Sequence, residues 1–387
     1  MDLLTVPAGI KGILRCFQQA GYEAYLVGGC VRDTLIGRVP GDWDICTAAL
    51  PEQTIALFGR TVPTGLRHGT VTVFYGGVQA EVTTFRVDGG YSDHRRPDEV
   101  RFTDRLEEDL SRRDFTINAM AMGLDGQVID LFGGQDDLRQ RVIRCVGDPD
   151  IRFQEDALRM FRAFRFAAQL GFSSAAYNAI RRNAHLARFV APERICVELE
   201  KTLLSPRPEF VQSMVRYGLL DAFLSRTDVS LVWNTASPPE KALRWAQFCA
   251  AFRAAGAVDD IGGFLRSLRV DGHTTRLCEK AMEITAAPFP TDDAGLRRLI
   301  ARYGPEAVRC AACTVGGLFR VEAVLASGAC LDLAHLAVSG ADLQVLGYQG
   351  PALGRALQRL LDAVLEDPSC NHRETLLQRL QQEVPHD

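Results

Sequence analysis

Apolar positions near the start of the chain fall at helical spacing. Ile10, Ile13, Leu14 and Phe17 share one face of residues 8–20, which predicts an amphipathic helix. The pattern then shortens. Tyr25–Val27 reads as a strand, and Val71–Tyr75 and Val78–Phe85 around Gly76-Gly77 predict a hairpin. Gly126–Leu131 predicts another short strand, whereas Ala119–Met122 reads as the end of an apolar helix. Residues 88–98 are polar and glycine-containing, so a mobile loop is expected there. Beyond residue 150 the alternation stops, and helical patterns rich in Ala, Leu, Arg and Phe take over. Prolines and glycines near 192, 206–208, 238–239, 262, 288–290, 304 and 350–351 mark helix junctions. No repeat of fixed period is present, so a regular solenoid is not indicated. The fold class expected is α+β, with a mixed N-terminal head on an all-helical remainder.

Composition narrows this picture only slightly. A chain of 387 residues suggests two to four domains, and 47% hydrophobic with 24% charged residues is ordinary for a globular protein. No apolar run approaches bilayer length, and the first residues lack the basic and apolar regions of a secretory signal. Eleven scattered cysteines argue for reduced thiols and a cytoplasmic location. The lone Cys310-Ala-Ala-Cys313 reads as two small apolar residues on a helix. A formal net charge of −4 does not announce a nucleic-acid binder. Of the 44 basic residues only Lys11, Lys201, Lys241 and Lys280 are lysines. Arginine suits bidentate phosphate and base-edge contacts better. Genome composition accounts equally well for the overall bias, but not for local clusters.

The chemistry concentrates in Tyr25-Leu-Val-Gly-Gly-Cys-Val-Arg-Asp33 and the following Asp42-Trp-Asp44. The first is a strand, a Gly-Gly turn and a helix start, whose free N–H groups favour anions. The second places two carboxylates at i and i+2, on one face of an extended segment. Asp42 and Asp44 can share a hard cation, with phosphates completing its shell. Glu81 joins them if the hairpin folds back beside Asp44, and the three then form the acidic set of two-metal phosphoryl or nucleotidyl transfer. On its own a strand-end Glu is also compatible with a solvated position. In Ser111–Asn118, Arg113 could clamp phosphate oxygens, and Asp114 and Asn118 could bond a ribose hydroxyl. A solvated helix start capped by Asp114 fits that spacing equally.

Glu155–Phe172 predicts one helix with Leu158, Phe161, Phe164, Ala168 and Leu170 for packing. Asp156, Arg159, Arg162 and Arg165 lie three apart along its polar side. Asp156 and Arg159, one turn apart, offer an acceptor beside a fork of donors. Cytosine and adenine each present an amino donor next to a ring-nitrogen acceptor; guanine and uracil present the reverse order. The pair therefore favours C and A, because a mismatch leaves buried polar groups unpaired.

These segments resemble the class II tRNA nucleotidyltransferases, the CCA-adding enzymes, and more broadly the related bacterial poly(A) polymerases. The resemblance spans the whole chain. It is strongest in Leu-Val-Gly-Gly-Cys-Val-Arg-Asp33, Gly41–Ile45, Tyr91–Asp98, Arg112–Asn118 and Glu155–Phe172, and continues through Glu193–Lys201 and the tail-like Ser339–Leu343. It implies a catalytic head over 1–140, a neck that recognises the base over 141–210, a body over 211–325 and a tRNA-binding tail over 326–387. It implies template-independent addition of C, C and A to tRNA 3′ ends from CTP and ATP, with Mg²⁺. Carried over by motif, Gly29 and Arg32 contact nucleotide phosphates, Asp42 and Asp44 hold metal, Arg113 binds nucleotide, Asp156 and Arg159 read the base, and Arg162 and Arg165 support the site. The segment Thr64–Val73 and the modest charge favour CCA over poly(A) addition, and the complete 88–98 loop implies that the terminal A is added. His68 stands where relatives often carry an aromatic residue. Expected partners are tRNA acceptor arms, held by shape and phosphate contacts along a basic lane for which Arg181, Arg182, Arg188 and Arg194 are candidates. Ordinary surface roles fit those arginines as well. Membrane attachment is not expected, and homodimerisation and repair of damaged CCA ends stay open. Poly(A) addition and a catalytically idle RNA-binding protein are the competing readings. Use of CTP separates the first from CCA addition, and the intact acidic set speaks against the second.

Overall fold

The structure, a computed structural model, describes residues 6–90, 99–231 and 238–383. The chain packs as two units, Met1–Ala222 and Phe223–Asp387. The boundary read at 140 between head and neck thus falls inside the first unit, and both lie within it.

In the first unit, helix α1 (Ala8–Gln19) buries Ile10, Ile13, Leu14 and Phe17, as its spacing predicts. It packs near the β-hairpin, where Gly12 leaves room for the Tyr75 ring; a Cβ there would lie 2.5 Å from it. The strands are β1 (Ala24–Val27), β2 (Asp44–Thr47), β3 (Thr61–Gly65), β4 (Thr70–Tyr75), β5 (Val78–Thr84), β6 (Arg86–Asp88), β7 (Val100–Phe102), β8 (Met120–Met122) and β9 (Val128–Asp130). Seven of them form one mixed sheet in the order β3-β4-β5-β2-β1-β8-β9. The β2–β5 pairing is parallel and sets Asp44 opposite Glu81. β6 and β7 form a separate antiparallel ribbon. It carries the loop singled out in the sequence, whose residues 91–98 lie outside the described residues. Helices α2 (Gly29–Leu35), α3 (Pro51–Leu57), α4 (Leu106–Ser111) and α5 (Gly134–Gln140) complete the head.

Two sequence expectations are corrected here. Ala119–Met122 does not continue a helix. Met120–Met122 is strand β8, paired with β1 and β9 and buried throughout. Burial between two neighbours overrides the helix preference of Ala and Met. Residues 155–172 are likewise not one helix. α6 (Pro149–Glu155) ends and α7 (Leu158–Leu170) begins across Asp156, whose backbone is extended at φ −142°, ψ 103°. The Asp156 carboxylate takes the free N–H of Leu158 at 3.1 Å, a local bond that competes with helix continuation. Strand structure also recurs late, where β10 (Val142–Ile143) pairs in parallel with β11 (Ser173–Ser174).

Three more helices, α8 (Tyr177–Asn183), α9 (Pro192–Leu203) and α10 (Phe210–Arg216), pack in this unit, with α7 seated against α9 and α10. α7 is buried along most of its length and supplies Phe161, Phe164 and Phe166 to the core.

The second unit is helical: α11 (Lys241–Ala254), α12 (Ile261–Ser267), α13 (Gly272–Ile284), α14 (Asp293–Tyr303), α15 (Pro305–Val315), α16 (Leu318–Ala326), α17 (Gly340–Val345), α18 (Gly350–Glu366) and α19 (Arg373–Glu383). α11, α13 and α15 pack together, with Trp245, Phe248 and Phe252 buried on α11. A smaller core, including Leu343, Leu360, Val364, Leu376 and Leu380, holds the C-terminal helices together. Arg297 closes the end of α18 by donating to the Leu365 and Glu366 carbonyls at 2.6 and 2.9 Å. None of the eleven cysteines is in a disulfide, and Cys310 and Cys313 are buried on α15, as read. Among the described residues, no helix is long and apolar enough to cross a membrane.

Candidate active site

The site grows from the turn between β1 and α2. Gly28 holds φ +78° and ψ −132°, a conformation open essentially to glycine alone. A Cβ at this position would stand 3.3 Å from Arg113 Nη1 and 3.7 Å from Asp44 Oδ2. The turn, the arginine and the acid therefore meet at one point, kept clear by the absence of a side chain. Gly28 has the special backbone, and Gly29, which the resemblance assigns to the phosphates, opens the helix.

Asp44 begins β2, and Glu81 faces it across the parallel pair. Asp42 precedes the strand in a bend, so the expected extended Asp-x-Asp segment is only half strand. It remains electrostatically close. Burial, aided by the Asp42 and Glu81 carboxylates, pushes the Asp44 carboxyl up to about 6, against the opposing pull of the Arg113 guanidinium. Carboxylates that repel one another in this way suit a cation. Among the described residues, no three His, Cys, Asp or Glu side chains make a ready-made metal cage. Mg²⁺ does not require one, since it binds through one or two carboxylates with waters and substrate phosphates. The hard oxygen donors of Asp42 and Asp44 fit that requirement.

Arg113 reaches the turn from the end of α4. Its Nη2 donates to Asp109 at 3.1 Å, while its Nε is buried without a hydrogen-bond partner. A buried donor lacking an acceptor is costly, and Nη1 of the same guanidinium stands beside the glycine turn.

A continuous polar network runs from α2 to α9. Arg32 makes a bidentate bond to Asp33, with both contacts at 2.9 Å, and donates to Asn118 Oδ1 at 2.8 Å. Asn118 donates to Asp114 Oδ1 at 3.2 Å, and Arg162 Nε donates to Asp114 Oδ2 at 2.7 Å. Buried Glu198 on α9 then pairs with Arg165 at 2.5 Å and approaches Arg162 at 3.9 Å. One ring organises the cations, as the guanidiniums of Arg32, Arg162 and Arg165 lie 5.1, 5.5 and 3.9 Å from the Phe166 centroid. Asp114 is thus a buried junction rather than a solvated cap.

Asp156 and Arg159 are not the one-helix pair that the spacing suggested. Asp156 sits at the α6–α7 joint and accepts from Arg194 Nη1 and Nη2 at 3.2 and 2.8 Å. Arg159, at the start of α7, donates to Glu155 at 2.5 Å and to the Arg112 carbonyl at 3.3 Å. Each has an internal partner of opposite charge.

This geometry can be set beside known proteins. The poly A polymerase head domain family matches residues 24–144, and the family described as a probable RNA and SrmB-binding site of polymerase A matches 172–231. The CCA-adding enzyme of Geobacillus kaustophilus is 41% identical over 378 residues, covering 91% of this chain and 90% of that protein. The CCA-adding enzyme of Limosilactobacillus fermentum is 39% identical over 397 residues, covering 97% and 98%. The crystal structure of the Bacillus stearothermophilus CCA-adding enzyme in complex with CTP matches with a TM-score of 0.78 at 33% identity, over 99% of each chain.

The chain belongs to the CCA-adding enzymes. It is a nucleotidyltransferase, and the family resemblance read from its motifs holds across its length.

Within this CCA-adding enzyme, the residues read from sequence gather in two places. Asp44 and Arg113 flank the glycine turn, with Asp42 and Glu81 close to Asp44, while Arg32, Asp114, Asn118, Arg162 and Arg165 form a second, linked network. Arg194, a candidate for the tRNA lane, makes a bidentate bond to Asp156 at the α6–α7 joint. Arg182 is ion-paired with Asp150, Arg181 lies over Tyr217 and Arg188 over Phe189. The sequence reading missed Asp33, Asp109, Glu155, Phe166 and Glu198. Asp109 was accessible in principle, since it lies three and four residues before Arg112 and Arg113, at helical spacing. Glu198 was not, because only the packing of α9 on α7 brings it to the arginines.

Proposed function

We propose that this CCA-adding enzyme catalyses template-independent addition of C, C and A to the 3′ end of tRNA from CTP and ATP. The meeting of Gly28, Arg113 and Asp44 at one point supports this reading, because a guanidinium and a glycine turn suited to phosphate stand beside a carboxylate suited to a hard cation. Asp42 and Asp44 would hold Mg²⁺, which supplies charge neutralisation at the α-phosphate and activation of the attacking hydroxyl. The tRNA 3′ oxygen attacks the α-phosphorus, its proton leaves to solvent, and pyrophosphate departs. Arg113 and the Gly28 turn hold the phosphate chain in line. Glu81, opposite Asp44, adds a third carboxylate to the acidic set. Arg32, with Gly29, contacts the phosphates and is tied through Asn118 to Asp114; Asp114 and Asn118 fix the sugar side, with Arg162 and Arg165 supporting them through Phe166. Asp156 and Arg159 read the base edge, exchanging their internal partners Arg194 and Glu155 for a complementary base. A base of reversed polarity cannot repay that exchange, so UTP and GTP are rejected. The division into head, neck, body and tail, with the tail holding tRNA, belongs to this reading.

The test is extension of a tRNA transcript lacking its 3′ CCA, with Mg²⁺ and each nucleotide alone and combined. Two additions from CTP alone, then one A when ATP is supplied, are expected. A long A tail without use of CTP would reassign the activity to poly(A) addition, and no incorporation would leave an RNA-binding protein. An Asp42→Ala, Asp44→Ala double variant should form no product; undiminished product would overturn the metal assignment.

A further inference from the structure

The reaction described above gives Asp109 no task, yet it is a fully buried carboxylate beside the site. Its Oδ1 accepts from Arg112 Nε at 3.0 Å and Arg112 Nη2 at 2.6 Å, and from the Arg86 backbone N–H at 3.4 Å. Its Oδ2 accepts from Arg113 Nη2 at 3.1 Å. A carboxylate out of water must be fully matched, and this one is, by two guanidiniums at once. Burial pushes its carboxyl up, but Arg113 and Arg112 outweigh burial and leave it below the usual range.

The consequence falls on Arg113. A guanidinium is a rigid planar fork, so fixing one end fixes the direction of the others. With Nη2 on Asp109, Nη1 is held against the Gly28 turn and Nε is left without a hydrogen-bond partner. The anchor itself is firm. Leu110, the next residue of α4, is buried with Val27, Cys46, Phe85 and Ala121 on the sheet behind Asp44. On its other side Arg112 lies 3.8 Å from Asp88, at the base of the β6–β7 ribbon.

We propose that Asp109 is a positioning residue for the phosphate chain of the incoming nucleotide. It pre-orients Arg113, so that Nη1 of the guanidinium stands against the Gly28 turn before substrate arrives. The inference rests on the reading of Arg113 as a nucleotide-binding residue. It predicts an effect common to CTP and ATP, confined to the phosphates and separate from base choice.

The test is Asp109→Asn in the full chain, a change of charge without a change of shape. Binding of CTP, pyrophosphate and CMP is measured by calorimetry with Mg²⁺, together with steady-state KM values. Affinity for CTP and for pyrophosphate should fall about tenfold, as for loss of one charge-assisted anchor. CMP affinity, the KM for tRNA and the preference for CTP over UTP should stay as in the wild type. On an Arg113→Met background, Asp109→Asn should add nothing, because it acts through that side chain. Unchanged CTP and pyrophosphate affinity would overturn the proposal. So would equal weakening of CMP, or full additivity with Arg113→Met. If Asp109→Asn does not fold, Arg112→Met replaces it, because that side chain is partly solvent-exposed. It loosens the same carboxylate and should weaken CTP and pyrophosphate about threefold while sparing CMP; no such change would also overturn the proposal. Wild-type protein that binds no CTP would instead sink the nucleotidyl-transfer reading itself.

Discussion

Gly28 shows how much one residue can decide. No L-side chain adopts its backbone without strain, and a methyl group there would press on Arg113. Gly28→Ala should therefore cost about 1–3 kcal/mol of stability and a larger share of nucleotide affinity. A melting curve paired with a CTP titration separates the two losses, and unchanged CTP binding would show that the turn is only structural. Asp114 makes a second prediction. Burial pushes its carboxyl up, but Arg162 and Asn118 outweigh this and hold it at about 2. Its stabilising contribution is complete above the unfolded value of about 3.9 and is lost as the pH falls through the folded value. Asp114→Asn should cost about 2 kcal/mol or more at neutral pH, and the difference from wild type should shrink between about pH 4 and pH 2. Urea unfolding at several pH values reads this directly, and a gap that persisted at low pH would contradict it.

Elements set the limits of what the sequence could reveal. The strand–turn–helix at Gly28, the β4–β5 hairpin and the amphipathic α1 were legible because each is encoded within a few residues. The Asp44–Glu81 pairing was legible only as a conditional, since a parallel register is set by the sheet and not by either strand. The α6–α7 joint was not legible. Asp156 reads as one more polar position on a helix until Arg194, from a helix far along the chain, is seen to hold its carboxylate. That joint governs base choice in the proposed mechanism. Arg159→Ala should raise incorporation of UTP and GTP relative to CTP by about tenfold or more. Intact selectivity with a slower rate would make Arg159 a structural residue.

At the scale of the molecule, every residue assigned to nucleotide handling lies between Gly28 and Glu198, within the unit that ends at Ala222. A fragment of residues 1–222 should therefore bind CTP within about threefold of the whole chain, since a unit with its own core can fold alone. Calorimetry on the purified fragment tests this. Loss of CTP binding by a folded fragment would place a required group in 223–387. Extension of tRNA by the fragment should be strongly impaired, because the proposed tail-to-tRNA contacts are missing.

The Phe166 ring has a further consequence for how this protein can change over generations. Arg32, Arg162 and Arg165 come from two different helices, yet all three lean on the same six carbons. A change at codon 166 thus withdraws one aromatic face from three cations at once.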